Sequence, residues 1–409
     1  MAAAKSSAWR ASAHLQQLLL RRWCASQGQG SVAQQQGSAA HAKAAAWLYA
    51  PLATRVLGAG ICSVALGAAG VACYVLSAVH SRRKRGYTDE FVLTPEDLNM
   101  PYQEVQFFTE DGVSLMGWFI PQSLAGKPSR RVIVCCHPYN SSKSNLLGVA
   151  RGLWDRKYSV FMFDFRSFAH TPTAQSIGYL ELRDARAAVQ CARRTAPEGA
   201  EIGLIGASMG GVVSLIVGHE RAIDAVGIVT DCAFAGLTTV LETQIGNKFW
   251  LLPPSACAGI VHVAELLNPF LHGYRLSEVS PTSVVADGGS ERAGEVPLLL
   301  IHAEDDDTVT VSQAHSIYAA AAVPNEKKRL EVVQHCHHIG SFFQDRSRYL
   351  RLVGDFFDAS FTEAELRKAC PEKSLEQRVV AAAPLLPSDG VPSSAPGGGG
   401  ELLGARTTE

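Results

Sequence analysis

Between about residues 103 and 360 the apolar residues fall into two kinds of run, and the two alternate. Short runs rich in Val, Ile, Leu and Phe are Arg131–Cys136, Ser159–Asp164, Ile202–Gly206, Ala225–Thr230, Val296–His302 and Leu330–Val333. Their apolar residues stand side by side rather than at every second position, which suits strands covered on both faces, as in a parallel sheet between helices. The stretches between them, including 181–195 and 211–220, read as helices. The β-α-β-α order predicts an α/β fold with a mostly parallel, doubly wound central sheet flanked by helices. Upstream, Glu104–Phe108 and Val113–Ile120 flank Glu110-Asp111-Gly112. An Asp-Gly turn between two such runs predicts a hairpin at the sheet edge.

On both sides of this domain the pattern changes. No acidic residue precedes Asp89, while Lys5, Arg10, Arg21, Arg22, Lys43 and Arg55 stand among Ala, Ser and Gln. Residues 1–55 therefore read as a basic extension of the kind that targets an organelle, a mitochondrion for example. From Val56 to Val79 runs an uncharged stretch of 24 residues, closed by Arg82, Arg83, Lys84 and Arg85. Its length is that of a membrane-spanning helix, although Gly and Ala dominate it. Nothing nearby in the sequence offers to bury it, so a single-pass transmembrane helix is expected over 56–79. The basic cluster after it places the α/β domain on the cytosolic or matrix side. Gly67 and Gly70 permit a close helix approach. A linker over 80–101, the α/β domain over 102–370 and a disordered tail over 371–409, rich in Pro and ending in the Gly397–Gly400 run, complete the organisation.

Composition narrows the picture further. A chain of 409 residues, 47% hydrophobic and 18% charged, has room for one large catalytic domain with extensions. The net charge of −1 gives no footing for a nucleic-acid partner. The ten cysteines are scattered, several inside apolar runs such as Cys135, Cys136, Cys191 and Cys232, and are expected to be buried free thiols in a reducing compartment.

Gly206-Ala207-Ser208-Met209-Gly210-Gly211 follows a buried strand and precedes a helix. This is the setting of a nucleophile elbow, where glycines allow a tight strained turn that lifts the serine hydroxyl clear of the backbone. A dinucleotide-binding turn needs glycines at another spacing. A serine hydroxyl is a poor nucleophile until a base takes its proton, so an acid and a histidine are expected downstream. After the strand ending at His302 come Glu304, Asp305, Asp306 and Asp307, any of which is a candidate acid. After Leu330–Val333 come His335, His337 and His338, any of which is a candidate base. Both clusters also have the composition of a cation site, but the serine elbow makes acyl transfer the simpler use. No metal or cofactor is expected.

From Tyr102 to Ser360 the chain resembles the α/β-hydrolase superfamily, in particular bacterial-type hydrolases and eukaryotic relatives with a membrane anchor ahead of the domain. The resemblance rests on Thr109–Pro121, Val134-Cys-Cys-His-Pro138, Asp164-Phe-Arg166, the elbow, Val279-Ser-Pro281, and His338-Ile-Gly-Ser-Phe-Phe343 with Tyr349 beyond. It implies Ser208 as nucleophile, Asp306 as the acid three residues before Val309, and His338 as the base. It also implies Met209 as an oxyanion donor through its backbone N–H. Pro138 stands where the family has glycine and donates no N–H, so the second donor implied is Tyr139. Arg166-Ser167-Phe168-Ala169 lacks the glycines usual after that arginine. The segment between Cys232 and Ser290 is expected to hold helices, such as 256–267, with no large lid, and Phe249–Leu252 are candidates for an acyl pocket. The resemblance implies hydrolysis of a carboxylic ester or thioester, with a lipid-like acyl substrate and a membrane as partners. A serine peptidase of the same fold and a non-catalytic acyl-binding module are the competing readings.

Overall fold

Strands form where the apolar runs are densest. The computed structural model describes residues 63, 65–81, 93–168, 174–290 and 292–369. In chain order its strands are β1 (Gln103–Phe108), β2 (Ser114–Ile120), β3 (Ser123–Leu124), β4 (Lys127–Pro128), β5 (Arg131–Cys136), β6 (Ser159–Phe163), β7 (Glu201–Ala207), β8 (Ala225–Asp231), β9 (Leu298–Ala303) and β10 (Lys328–Val333). Among the described residues eight of them form one sheet in the order β1-β2-β6-β5-β7-β8-β9-β10, and β3 pairs with β4 alone. β1, β2 and β6 pair antiparallel. From β6 to β10 every pairing is parallel. The expected edge hairpin is β1–β2, turning at Asp111-Gly112, where Gly112 has φ 79°.

The helices are α1 (residues 65–79), α2 (Leu147–Asp155), α3 (Glu181–Thr195), α4 (Met209–Gly218), α5 (Leu237–Lys248), α6 (Pro254–His272), α7 (Pro281–Val285), α8 (Val311–Ala320), α9 (Ser341–Gln344) and α10 (Arg346–Ala369). Every residue of β5 after Arg131, and all of β6, β7 and β9, is buried, as strands covered on both faces must be. β7 shows how the faces divide. Its Gly203 leaves room for Phe357 and Phe361 of α10, whereas Leu204 reaches Gly218 of α4 on the other side. Alternate residues of one strand thus serve two helical layers. The larger core cluster includes Leu153, Tyr158, Val160, Val353, Phe357 and Phe361, between the sheet and the pair α2 and α10. All seven described cysteines are free, and all but Cys73 are buried.

The membrane-spanning helix expected over 56–79 is not shown. Among the described residues no helix is long and apolar enough to cross a bilayer. Residues 56–62 and 64 lie outside them, but α1 is described, and Ala72, Val75, Leu76 and Val79 are buried. The boundary between the chain's two compact units falls between Val71 and Ala72, so these four residues belong with the α/β domain. The Tyr74 ring lies beneath the Lys248 ammonium, 4.6 Å from Nζ. His80 stacks on His272 with 3.4 Å between centroids, and its Nε2 lies 2.9 Å from the Tyr274 hydroxyl. The domain covers one face of this half of the stretch, while Cys73, Tyr74, Ser77 and Ala78 on the other face are exposed.

The docked segment should respond to pH through His80. Its burial lowers the imidazole pKa to about 4, against the hydrogen bond to the Leu76 carbonyl and with help from neighbouring His272. A histidine depressed in the folded state favours docking fully above its ordinary 6.5 and progressively less as pH falls towards 4. Amide exchange over 72–81, corrected for intrinsic rates, is expected to be slow at pH 7 and markedly faster at pH 5. Equal protection at both would show that His80 does not hold this segment.

Candidate active site

β7 ends at Ala207 and α4 begins at Met209, so Ser208 alone makes the turn from strand to helix. Its φ of 50° and ψ of −120° are a conformation that a side-chain-bearing residue holds only under constraint from its surroundings. The constraint is visible in the glycines. A Cβ on Gly210 would lie 2.1 Å from the Cys136 carbonyl oxygen, and one on Gly206 would lie 2.2 Å from the Gly210 carbonyl oxygen. Hydrogen is all that fits at either position. The Ser208 N–H donates to the Asp231 carbonyl at 2.8 Å, which ties the elbow to the end of β8. Gly210→Ala is therefore expected to cost more than the ~1–3 kcal/mol of ordinary overpacking, because backbone must move. Urea unfolding of the variant measures this, and a parental midpoint would contradict the tight turn.

The loop between β10 and α9 brings His338 to the serine. His338 Nε2 lies 3.0 Å from Ser208 Oγ, and Nδ1 lies 2.6 Å from Asp306 Oδ2. An ionised carboxylate only accepts, so the proton sits on Nδ1 and the lone pair of Nε2 faces the hydroxyl. Asp306 is 5% exposed. Its Oδ1 accepts the N–H groups of Thr308 at 2.9 Å and Val309 at 2.8 Å. Burial pushes its carboxyl up, but the hydrogen bonds from His338 and Val309 outweigh burial and hold it below the ordinary carboxylate value. Asp306 thus stays ionised as the pH falls further than an ordinary Asp would.

The candidates left open by sequence separate cleanly. Glu304, Asp305 and Asp307 are exposed, and so are His335 and His337. His337 Nδ1 lies 3.1 Å from the Asp305 carbonyl, away from the serine. The donor atoms that do converge, within 4.8 Å of one another, are those of Cys232, His302 and Asp306. Each already has partners. His302 Nε2 bonds to the Val309 carbonyl at 2.8 Å, Cys232 Sγ donates to Asp231 and accepts from the Ile339 N–H, and both Asp306 oxygens are engaged. The set fits a shell that shapes the acid turn better than it fits a cation.

On the other side of the serine, β5 runs into His137-Pro138-Tyr139. The Phe165 N–H donates to His137 Nε2 at 2.9 Å, so the ring proton is on Nδ1, which donates to the Pro138 carbonyl at 2.8 Å. In a trans peptide the N–H of the next residue points opposite to that carbonyl, and no peptide bond here is cis. His137 thereby sets the direction of the Tyr139 N–H. The Tyr139 hydroxyl accepts from Gln175 Nε2 at 2.9 Å and lies 3.5 Å from the Ala78 carbonyl of α1's docked end. Met209 is the first residue of α4, where helical N–H groups lack intrahelical acceptors.

One sequence expectation about the surroundings changes in part. Of the four acyl-pocket candidates, Trp250 and Leu251 are 78% and 77% exposed, whereas Phe249 and Leu252 are half-buried. They occupy the reversal between α5 and α6, just ahead of Pro253 and Pro254, where the chain runs over the surface. α5 instead meets the acid loop, Gln244 donating to the Thr308 carbonyl at 3.1 Å and Asn247 to that of Asp307 at 3.0 Å. Arg166, at the glycine-poor turn, is buried and paired with Asp184 at 2.8 Å and Asp111 at 2.9 Å. Ala169 lies outside the described residues. Sequence reading also missed Asp231 and His302. The available signal was a polar residue closing an otherwise apolar strand.

Comparison with known proteins follows the same lines. Residues 127–287 match a family model described as serine aminopeptidase, S33. The chain is 26% identical to the Bacillus subtilis protein YqkD over 232 residues, 55% of this chain and 70% of that protein. It is 27% identical to YfhR of Escherichia coli O157:H7 over 263 residues, 63% of this chain and 79% of that one. Among solved structures, the Pyrococcus furiosus esterase Pf2001 matches with a TM-score of 0.51 at 26% identity, covering 69% of this chain and 97% of the other.

Proposed function

Because the chain belongs to the α/β-hydrolase superfamily, we propose that it cleaves carboxylic esters or thioesters through an acyl-Ser208 intermediate. The observation that carries this reading is the pair of distances at His338, 3.0 Å to Ser208 Oγ and 2.6 Å to Asp306 Oδ2. His338 Nε2 takes the hydroxyl proton as Oγ attacks the acyl carbon. Asp306 keeps the imidazole in the competent tautomer and stabilises the imidazolium. The carbonyl oxygen becomes an oxyanion and receives the N–H groups of Met209 and Tyr139. Collapse expels the alkoxide or thiolate, which takes the proton from His338 and leaves Nε2 free to act as a base again. Water, deprotonated by the same nitrogen, then attacks the acyl-serine, and carboxylate leaves with Ser208 re-protonated. The substrate class is a lipid-like or protein-bound acyl group, a reading supported by the uncharged residues 56–71 and, ten residues further on, the basic run Arg82–Arg85, which suit work at a membrane surface.

A serine peptidase is the second reading, favoured by the description of the matching family model. The triad serves both, and the leaving group decides. A panel of p-nitrophenyl esters and acyl thioesters of increasing chain length, run beside aminoacyl p-nitroanilides with Ser208→Ala as blank, separates them. The proposal expects ester and thioester turnover that vanishes in the blank. Faster cleavage of the anilides would install the peptidase reading, and no turnover by folded parent protein would sink both.

A further inference from the structure

Ser208 and His338 are 130 residues apart in sequence, yet both are anchored to one residue that takes no part in the proton relay. Asp231 closes β8 and is 4% exposed. Through its main chain it accepts the Ser208 N–H at 2.8 Å, the only backbone group between strand β7 and helix α4. Through its side chain, Oδ1 accepts the Ser341 hydroxyl at 3.0 Å and the Cys232 thiol at 3.3 Å. Ser341, buried, starts α9 three residues after His338, so its bond to Asp231 fixes the far end of the loop that carries the base. Between His338 and Ser341 the Ile339 N–H donates to Sγ of Cys232, the residue next to Asp231.

The geometry points to Asp231 as a positioning residue that sets the Ser208–His338 distance, by its carbonyl on one side and its carboxylate on the other, and that lends a buried negative charge to the imidazolium. This rests on the hydrolase reading above. The groups facing the carboxylate are Cys232 beside it, Cys336 and His338 from the base loop, and Tyr349 from α10. Burial drives the Asp231 carboxyl up to about 6, while hydrogen bonds from Cys232 and Ser341 and the charge of His338 oppose the rise. The same proximity acts in reverse. A carboxylate near His338 favours imidazolium. Protonation of Asp231 as the pH falls through about 6 withdraws that charge, an inflection that Asp231→Asn removes from any Ser208-dependent rate.

Two variants separate charge from tethering. Asp231→Asn keeps an oxygen for Ser341 and leaves the main-chain bond to Ser208 intact but removes the charge. Ser341→Ala keeps the charge and removes the tether. The readout is the second-order rate of Ser208 labelling by an alkyl fluorophosphonate as a function of pH, together with kcat and KM on a p-nitrophenyl ester. Ser341→Ala is expected to label about tenfold more slowly, in the range for lost supporting hydrogen bonds, with KM little changed and the acid limb in place. Asp231→Asn is expected to change the acid limb, which loses its inflection near pH 6. Loss of packing alone would lower rates without changing the limb. Parental labelling in Ser341→Ala, or an Asp231→Asn limb coinciding with the parent's, overturns the proposal while leaving the hydrolase reading standing. Folded parent protein that takes no label overturns both.

Discussion

Ser208→Ala is expected to lower kcat for ester hydrolysis by at least about 10⁴-fold, with KM and melting temperature near the parent's. Deleting Oγ removes the attacking atom and leaves the elbow intact, since alanine meets the same positive φ with the same Cβ. His338→Ala should fall by a similar factor, because a hydroxyl without its base is as inert as no hydroxyl. The double variant should be no worse than either single one, since the two side chains act as a unit through their 3.0 Å contact. Steady-state kinetics on a p-nitrophenyl ester checks all three. Additive losses, each multiplying the other, would mean that the two residues do not share one step.

The largest stability effect is expected at Arg166. Arg166 is 2% exposed, and its guanidinium bonds Asp184, itself fully buried, and Asp111 on the β1–β2 turn. Asp111 is partly buried, which pushes its carboxyl up, yet Arg166 and Thr109 hold it well below the usual carboxylate range. Burial already drives Asp184 up to about 7 with only Arg166 opposing it strongly, and buried Glu181 adds to the rise. Arg166→Ala strands that carboxylate and is expected to cost about 3–5 kcal/mol. The sign with pH follows. A carboxyl raised in the folded state above its unfolded value penalises folding at high pH and is relieved by protonation as pH falls. Urea unfolding should therefore show a larger deficit for Arg166→Ala at pH 8 than at pH 6. A deficit that grows on acidification would contradict a stranded carboxylate.

The parts of the molecule that could be read from sequence are those encoded by neighbours. Gly206, Ser208 and Gly210 are legible because one tight turn needs all three within five residues. β5, β6, β7 and β9 are legible because full burial leaves no polar position inside the run. The acid and base were narrowed by chain order to four carboxylates and three histidines, and the resemblance picked one from each. In the structure, burial marks Asp306 out from Glu304, Asp305 and Asp307. What stayed hidden depends on contacts across long separations. Asp231 meets Ser341 over 110 residues, and nothing local to either announces it. The docking of α1 was legible in principle: Ala72, Val75, Leu76 and Val79 follow the spacing of a helix buried on one side. The Ala and Gly around them blurred that stripe into a uniformly apolar span. Trp250 and Leu251 misled in the opposite way, being apolar residues that the α5–α6 reversal leaves on the surface.

The central claim is that the hydroxyl at position 208 is activated by His338 in the folded protein. Exposure of the intact chain to an alkyl fluorophosphonate at neutral pH, followed by mass spectrometry of the peptides, tests it most directly. One adduct per chain, carried by Ser208, absent from Ser208→Ala and slowed by orders of magnitude in His338→Ala, is the result predicted. Folded protein without an adduct, or an adduct that persists in Ser208→Ala, would contradict it.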